Sequence, residues 1–316
     1  MGAVKLVTGR AARDVDAIRQ LARAAEAADG DAPLNEAVWR DLETDAPGID
    51  VLATESSHAA AAGYAHAAHS DNQAEPGWEI AMVVAPSWRG DDVDAALLDA
   101  VLDGIAAAGG GHVVLWRIGA APADDELATR AGFRVDRTLY EMRVPLPLGA
   151  RPAWPEGVEV RRFEPGRDEA AWVAVNNRSF AGHPEQGGWT VETLRAREQE
   201  PWFDPAGFLV AVRGGTLVGS CWTKVHAAED RGEIYVIGVD PDHAGGGLGR
   251  ALVVAGLDHL AGRGLTTGML FVDAANEPAV RLYRSLGFET ERADRAYERD
   301  VHSTLPPESE PTGDPE

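Results

Sequence analysis

Residues 233–250, EIYVIGVDPDHAGGGLGR, constrain the chain more than any other stretch. A run of β-branched and apolar residues from Glu233 to Gly238 breaks at Asp240-Pro241. It then passes through Gly245, Gly246 and Gly247 into an alanine- and leucine-rich segment that predicts a helix from about Leu248. Strand, glycine loop and helix, in that order, present backbone N–H groups to an anion. Glycines remove Cβ atoms where a ligand must come close, and the first turn of a helix has donors without intrahelical partners. With the positive end of the helix dipole, those donors suit a pyrophosphate. A glycine run also occurs in plain flexible loops, so the choice between the two readings rests on what lies downstream.

Downstream, residues 268–288 read GMLFVDAANEPAVRLYRSLGF. They predict a buried strand over 269–272, Asn276 ahead of a helix, and Gly287-Phe288 closing it. The V-x-P…G-x-G-x-x-L and N-x-x-A-x-x-x-Y-x-x-x-G-F segments resemble the acetyl-CoA-binding half of the GNAT acyltransferase superfamily. The matched positions are Val239, Gly245, Gly247, Gly249, Asn276, Ala279, Tyr283, Gly287 and Phe288. The resemblance implies an α/β (α+β) fold, a mixed central sheet flanked by helices, with a bulge that splays the strand before the loop. It also implies that the loop holds the CoA pyrophosphate and that the helix tyrosine meets the thioester sulfur. Acetyl-CoA contacts are carried by the same resemblance to Ile237, Gly238, Ala244, Gly246, Leu248, Arg250 and Arg281. Ala244 stands where the family usually has Gln or Arg.

Sliding the chain on itself exposes a duplication. Pro86 falls on Pro241, and Gly132-Phe133 on Gly287-Phe288, at one constant offset. Helices are predicted over 13–28, 34–42 and 93–107 with strands over 51–55, 61–69, 79–85 and 112–118, the order also expected of the second half. In this register Glu79 and Glu233 are one residue out of step, so the second copy has an extra residue before its turn, which is what a β-bulge needs. Gly247 and Gly249 are matched by Asp92 and Asp94, Asn276 by Ala121, and Tyr283 by Ala128. Carboxylates oppose a pyrophosphate and alanine donates no proton, so the first copy is expected to be catalytically inert. A weaker CoA contact along Met82, Val83 and Val84 is implied by resemblance alone. The expected division is a degenerate domain over 1–145, a proline-rich linker over 146–157, a catalytic domain over 158–302 and a disordered acidic tail over 303–316.

Composition narrows the partners. The chain of 316 residues carries 51 acidic against 29 basic residues, a net charge of −22. That balance repels phosphate backbones and anionic headgroups, excluding nucleic-acid and membrane-surface roles and favouring a substrate with an ammonium group. The lone Cys221 forms no internal disulfide and reads as a buried apolar residue within a strand, and no Cys/His cluster has metal spacing. No apolar run is long enough for an export signal or a membrane span, so a soluble, cytoplasmic protein is expected, and its expected state is a monomer. All basic residues but Lys5 and Lys224 are arginine. Where a chain so rarely uses lysine, Lys224 in the WTKVH segment stands out.

Residues 175–190, VNNRSFAGHPEQGGWT, are poor core material and good material for a polar pocket wall. With WTKVH and GEIYVIGVDP, this loop is similar to that of the mycothiol synthase family, two-domain GNAT acetyltransferases of actinobacteria. That resemblance implies acetylation of the cysteinyl amine of a cysteine–glucosamine–inositol conjugate, with Glu36, Glu185, Lys224, Glu233 and Phe271 around the acceptor. Phe271 stands where a tyrosine is expected. Acyl transfer needs an uncharged amine, a stabilised oxyanion and a protonated leaving group. Glu233 is the only carboxylate between Gly232 and Val239 and is the expected base, bulge-exposed N–H groups near 237–239 the oxyanion donors, and Tyr283 the acid. Two other readings are acetylation of another small amine or a protein N-terminus, and a CoA-sensing module without turnover.

Overall fold

The computed structural model describes residues 4–55, 60–69, 77–182, 186–226 and 229–305. The first part of the chain supplies β1 (Val4–Thr8), α1 (Val15–Asp29), α2 (Glu36–Thr44), β2 (Ile49–Glu55), β3 (Ala61–His69) and β4 (Trp78–Val84). It continues through α3 (Val93–Ala107), β5 (Gly111–Arg117), α4 (Pro122–Arg130) and β6 (Arg134–Pro145). The second part supplies β7 (Val158–Arg162), α5 (Glu169–Ser179), α6 (Val191–Glu198), β8 (Phe208–Arg213), β9 (Thr216–His226) and β10 (Arg231–Val239). It ends with α7 (Leu248–Gly262), β11 (Thr267–Asp273), α8 (Glu277–Ser285) and β12 (Glu289–Val301). No described helix is long and apolar enough to cross a membrane.

Two units emerge, and they are not contiguous halves. One comprises Met1–Thr138 with Asp294–Glu316, the other Leu139–Ala293. In the first, the strand order is β1-β2-β3-β4-β5-β12, and β12 runs antiparallel to β5 from Arg295↔Arg117 to Val301↔Gly111. In the second, it is β6-β11-β10-β9-β8-β7, and β6 runs antiparallel to β11 from Thr267↔Pro145 to Asp273↔Leu139. The expected cut at 146–157 is therefore replaced by boundaries inside β6 and β12. These two strands follow equivalent Gly-Phe pairs in the two copies, so local pattern says nothing about which sheet each joins. Of the expected tail, only 303–305 lies within the described residues.

Each sheet is covered on both faces. In the first unit α1 and α2 bury Ile18, Leu21, Ala25, Val38 and Leu42 with Tyr64 and Val83. On the opposite face α3 packs Leu97, Leu98, Val101 and Ile105 against Val51, Ala65 and Ile80. Asp14 starts α1 by accepting the Ala17 N–H at 3.0 Å, and Gly30 ends it in the left-handed conformation that glycine alone adopts without strain.

In the second unit α7 and α8 close one face with Leu252, Val253, Leu257, Leu270, Val280 and Phe288. The other face is aromatic, with Phe163, Trp172, Phe208 and Trp222 fully or nearly fully buried. Phe208 and Trp222 stack at 4.5 Å, and Trp172 meets both edge-on. Gly256 permits α7 to lie close on the sheet, since a Cβ there would sit 2.6 Å from Cys221 Sγ. Cys221 is fully buried and its thiol is pushed up to about 12 by that burial, so it behaves as the expected small core residue.

Candidate active site

The site begins with a backbone irregularity. β10 pairs antiparallel with β9 through Glu233↔Lys224 and Ile234↔Thr223, then resumes at Val236↔Trp222. Tyr235 is thus the extra residue, a bulge just upstream of residues 237–239, as the one-residue slip between the copies requires. β4 pairs with β3 from Gly63↔Val84 to His69↔Trp78 without such a shift. On its other side β10 pairs parallel with β11 only from Arg231↔Thr267 to Glu233↔Met269. Beyond Glu233 the strands diverge, and the β11-facing backbone edge of residues 236–239 is not taken up by sheet pairing.

That open edge leads to the glycine loop. Gly245 and Gly247 have φ of 84° and 81°, conformations that L side chains rarely adopt, and a Cβ at Gly245, Gly246 or Gly247 would meet nothing within 4 Å. Gly247 caps α7 and brings no side chain to the first N–H groups of the helix. These features fit an acetyl-CoA pyrophosphate. Val239 lies beside Gly249, with Cγ2 3.7 Å from the position a Gly249 Cβ would take, and Leu248 is buried in the core. Ala244 ends the short 3₁₀ turn before the loop. Gly238 has a separate reason to be small: a Cβ would lie 3.1 Å from Ser179 at the end of α5. Arg250 donates to Ser285 Oγ at 2.6 Å and Arg281 to Glu277 at 2.8 Å, both on the exposed surface. Asn276 caps α8 by accepting the Ala279 N–H at 3.2 Å.

Tyr283 sits on α8, 6% exposed, among Val280, Leu286 and Phe288. Burial first, and Cys221 second, hold its phenol above the ordinary tyrosine range. The group is therefore neutral and able to donate, and its hydroxyl has no hydrogen-bond partner among the described residues. Ring packing against Phe288 at 5.7 Å fixes its place in the core as well.

Directly opposed residues share a face of a sheet, so Glu233, Lys224, Met269 and, two residues on, Phe271 point the same way. Glu233 is 7% exposed. Its Oε2 lies 2.7 Å from His226 Nε2. Lys224 is held elsewhere, with Nζ 4.7 Å from the Trp202 ring centroid and 5.7 Å from that of Tyr235. The bulge thus turns Tyr235 into part of an aromatic cradle for the one lysine of this unit. Phe271 is 39% exposed.

The polar loop after α5 is anchored by two adjacent asparagines. Asn176 donates to the Gln186 carbonyl at 2.8 Å, and Asn177 both donates to the Trp189 carbonyl and accepts its N–H. Glu185, expected within this loop, lies outside the described residues. Glu36 is the exposed first residue of α2 in the first unit, whereas Lys224, Glu233 and Phe271 lie in the second. Sequence reasoning missed His226. Its signal was spacing, since it lies two residues from Lys224 on one strand face.

In the first unit Asp92 takes the place of Gly247. It caps α3 with φ of 57°, left-handed despite its side chain. Asp94 turns back to accept the Ala95 N–H at 2.8 Å, and Ala128 is buried. Met82, Val83 and Val84 lie past the last β4–β5 pair, Ala81↔Trp116, on a similarly unpaired edge.

The family model for the acetyltransferase (GNAT) family matches residues 164–288. A mycothiol acetyltransferase of Thermobispora bispora is 50% identical, the alignment covering 90% of this chain and 96% of that protein. One from Acidothermus cellulolyticus is 43% identical over 86% of each. Among solved structures, a GCN5-related N-acetyltransferase of Sphaerobacter thermophilus superposes with a TM-score of 0.74 at 26% identity, covering 95% of this chain and 97% of that one. A tandem GNAT protein from the clavulanic acid pathway shares the fold, with a TM-score of 0.70 at 18% identity over 96% of this chain and all of the other.

Proposed function

Because the chain belongs to the mycothiol acetyltransferase family within the GNAT superfamily, we propose that its second unit moves the acetyl group of acetyl-CoA to the cysteinyl amine of a cysteine–glucosamine–inositol conjugate. It is an acetyl-CoA-dependent N-acetyltransferase of mycothiol biosynthesis. The acceptor amine and the role of each residue are the finer reading.

The acceptor arrives as an ammonium ion, which a net charge of −22 welcomes. Glu233 removes its proton, directly or through water, and frees the nitrogen lone pair. N–H groups on the open edge at 236–239 hold the negative charge that develops on the thioester oxygen. As the carbon–sulfur bond breaks, Tyr283 passes its proton to the departing thiolate, which its neutrality permits. Gly245, Gly246, Gly247 and the N-terminus of α7 bind the pyrophosphate, with Val239, Asn276 and Ala279 shaping the remainder of the cleft. Lys224 and Phe271, with Glu185, would contact the hydroxyl-rich remainder of the acceptor. The first unit is non-catalytic on this reading and retains at most a weaker CoA contact at Met82, Val83 and Val84. The protein acts as a cytoplasmic monomer.

The observation that carries this reading is the bulge at Tyr235 together with the divergence of β10 from β11 directly after Glu233. It sets the only carboxylate of the strand at the mouth of an unpaired backbone edge. The test is incubation with acetyl-CoA and synthetic cysteinyl-glucosaminyl-inositol, followed by mass measurement of the product. Gain of one acetyl group on the amine is expected. Acetylation of a peptide panel in preference to this amine, or CoA binding without any turnover, would overturn it.

A further inference from the structure

We propose that His226 is a positioning residue for Glu233, a proposal that rests on the reading of Glu233 as the base. The two side chains come from adjacent strands, His226 opposite Arg231 and Glu233 opposite Lys224, so they are diagonal neighbours on one face. His226 Nε2 stands 2.7 Å from Glu233 Oε2, and Oε1 has no hydrogen-bond partner among the described residues. With its proton on Nε2, His226 donates to Oε2, a charge-assisted bond to an ionised carboxylate.

This division of the carboxylate has consequences for catalysis. A glutamate has several side-chain torsions, and one strong bond to Oε2 selects among its rotamers and aims Oε1 at the acceptor. Oε1 takes the ammonium proton while Oε2 keeps its donor, so no tautomer of His226 has to change during the step. The same bond compensates a carboxylate that is nearly out of water, where an unpaired charge is costly.

The other cations on this face are occupied elsewhere. Lys224 lies over Trp202 and Tyr235. Arg143, Arg231 and Arg292 gather on the buried Glu141, at 2.6, 3.6 and 3.1 Å, and Arg231 also pairs with Glu229. His226 itself is half-buried at the end of β9, its side chain 25% exposed, so replacing it disturbs little packing.

Thiol release with acetyl-CoA and synthetic cysteinyl-glucosaminyl-inositol reads the effect. In His226→Phe, kcat should fall about tenfold to a hundredfold, the range that loss of one charge-assisted hydrogen bond to a reacting group supports. KM for acetyl-CoA should hold within about twofold. His226→Gln keeps an N–H donor and should recover most of the lost rate. Glu233→Gln/His226→Phe should be no slower than Glu233→Gln alone, because the two residues act as one unit. His226→Ala replaces the phenylalanine variant if thermal unfolding shows the latter to be disturbed. A His226→Phe enzyme with the parent kcat, a His226→Gln enzyme as slow as His226→Phe, or additive losses in the double variant would each overturn the proposal. A slow Glu233→Gln beside a fast His226→Phe removes the positioning role alone, whereas a fast Glu233→Gln removes the base and the positioning role together.

Discussion

Asp92 and Gly247 hold the same place in two copies of one fold, each the residue before a long apolar helix, at φ of 57° and 81°. The backbone conformation has been kept where the side chain has not. In the second unit the result is a bare helix N-terminus opening on space. In the first it is a carboxylate in a conformation that costs a non-glycine residue about 1–2 kcal/mol. The pair of helices teaches that the loop geometry belongs to the fold, whereas on the proposed reading anion affinity belongs to what the loop omits. The strands before the loops differ in the same sense, since β10 carries the bulge at Tyr235 and β4 runs without one.

The contrast is sharpest at the reacting groups. Tyr283→Phe should lower turnover about 10²–10⁴-fold, the usual worth of general-acid assistance. Acetyl-CoA KM should barely move, because the ring still packs on Phe288. Unchanged turnover would remove the acid from the second unit and erase this difference from Ala128. Burial holds the Tyr283 phenol above the ordinary range. As pH rises through about 10, where tyrosine ordinarily ionises, turnover should therefore show no decline that Tyr283→Phe abolishes.

Glu233→Gln should slow the reaction by a comparable factor of about 10² or more at neutral pH, and by less at high pH, where free amine is already present. A loss of equal size at every pH would make Glu233 a binding group instead.

Gly247→Asp brings the residue of the first unit into the second. Calorimetric titration should show acetyl-CoA affinity there falling about a hundredfold, as a carboxylate and a Cβ meet the pyrophosphate at the helix N-terminus. A silent substitution would dissolve the distinction between the loops.

The smallest effect is the reverse exchange. Asp92→Gly relieves a left-handed aspartate but loosens the unfolded chain, two opposing contributions of similar size. Stability should change by less than about 1 kcal/mol in thermal unfolding, with turnover unaffected. Loss of turnover in folded protein would overturn the assignment of the first unit as inert.

Much of this is legible in the sequence. The glycine loop, the helix after it, the Asn276 cap and the one-residue slip that marks the bulge are local, and local chemistry writes them into the sequence. The slip predicted an extra residue without naming it, and sheet register identifies Tyr235. The pairing of His226 with Glu233 was invisible because it crosses strands, and register there depends on where the turn between β9 and β10 falls. β6 escaped notice for another reason. Its RVDRTLYEMRVP pattern carries Arg, Asp and Glu where a simple alternation would have apolar residues, because much of the strand is exposed. Glu141 is the exception, a buried acid that only its arginine neighbours explain.

The interchange of β6 and β12 sets a timetable for biosynthesis. The sheet of the first unit lacks its edge partner for β5 until residues 295–301 have left the ribosome, long after β5 itself has emerged. At translation rates of roughly 5–20 residues per second, that interval lasts on the order of 10–40 seconds. Throughout it, the nascent chain presents an unpaired strand edge to its neighbours on the polysome, the type of surface that invites cross-chain pairing. A nonsense codon shortly before β12 would therefore damage the part of the protein made first.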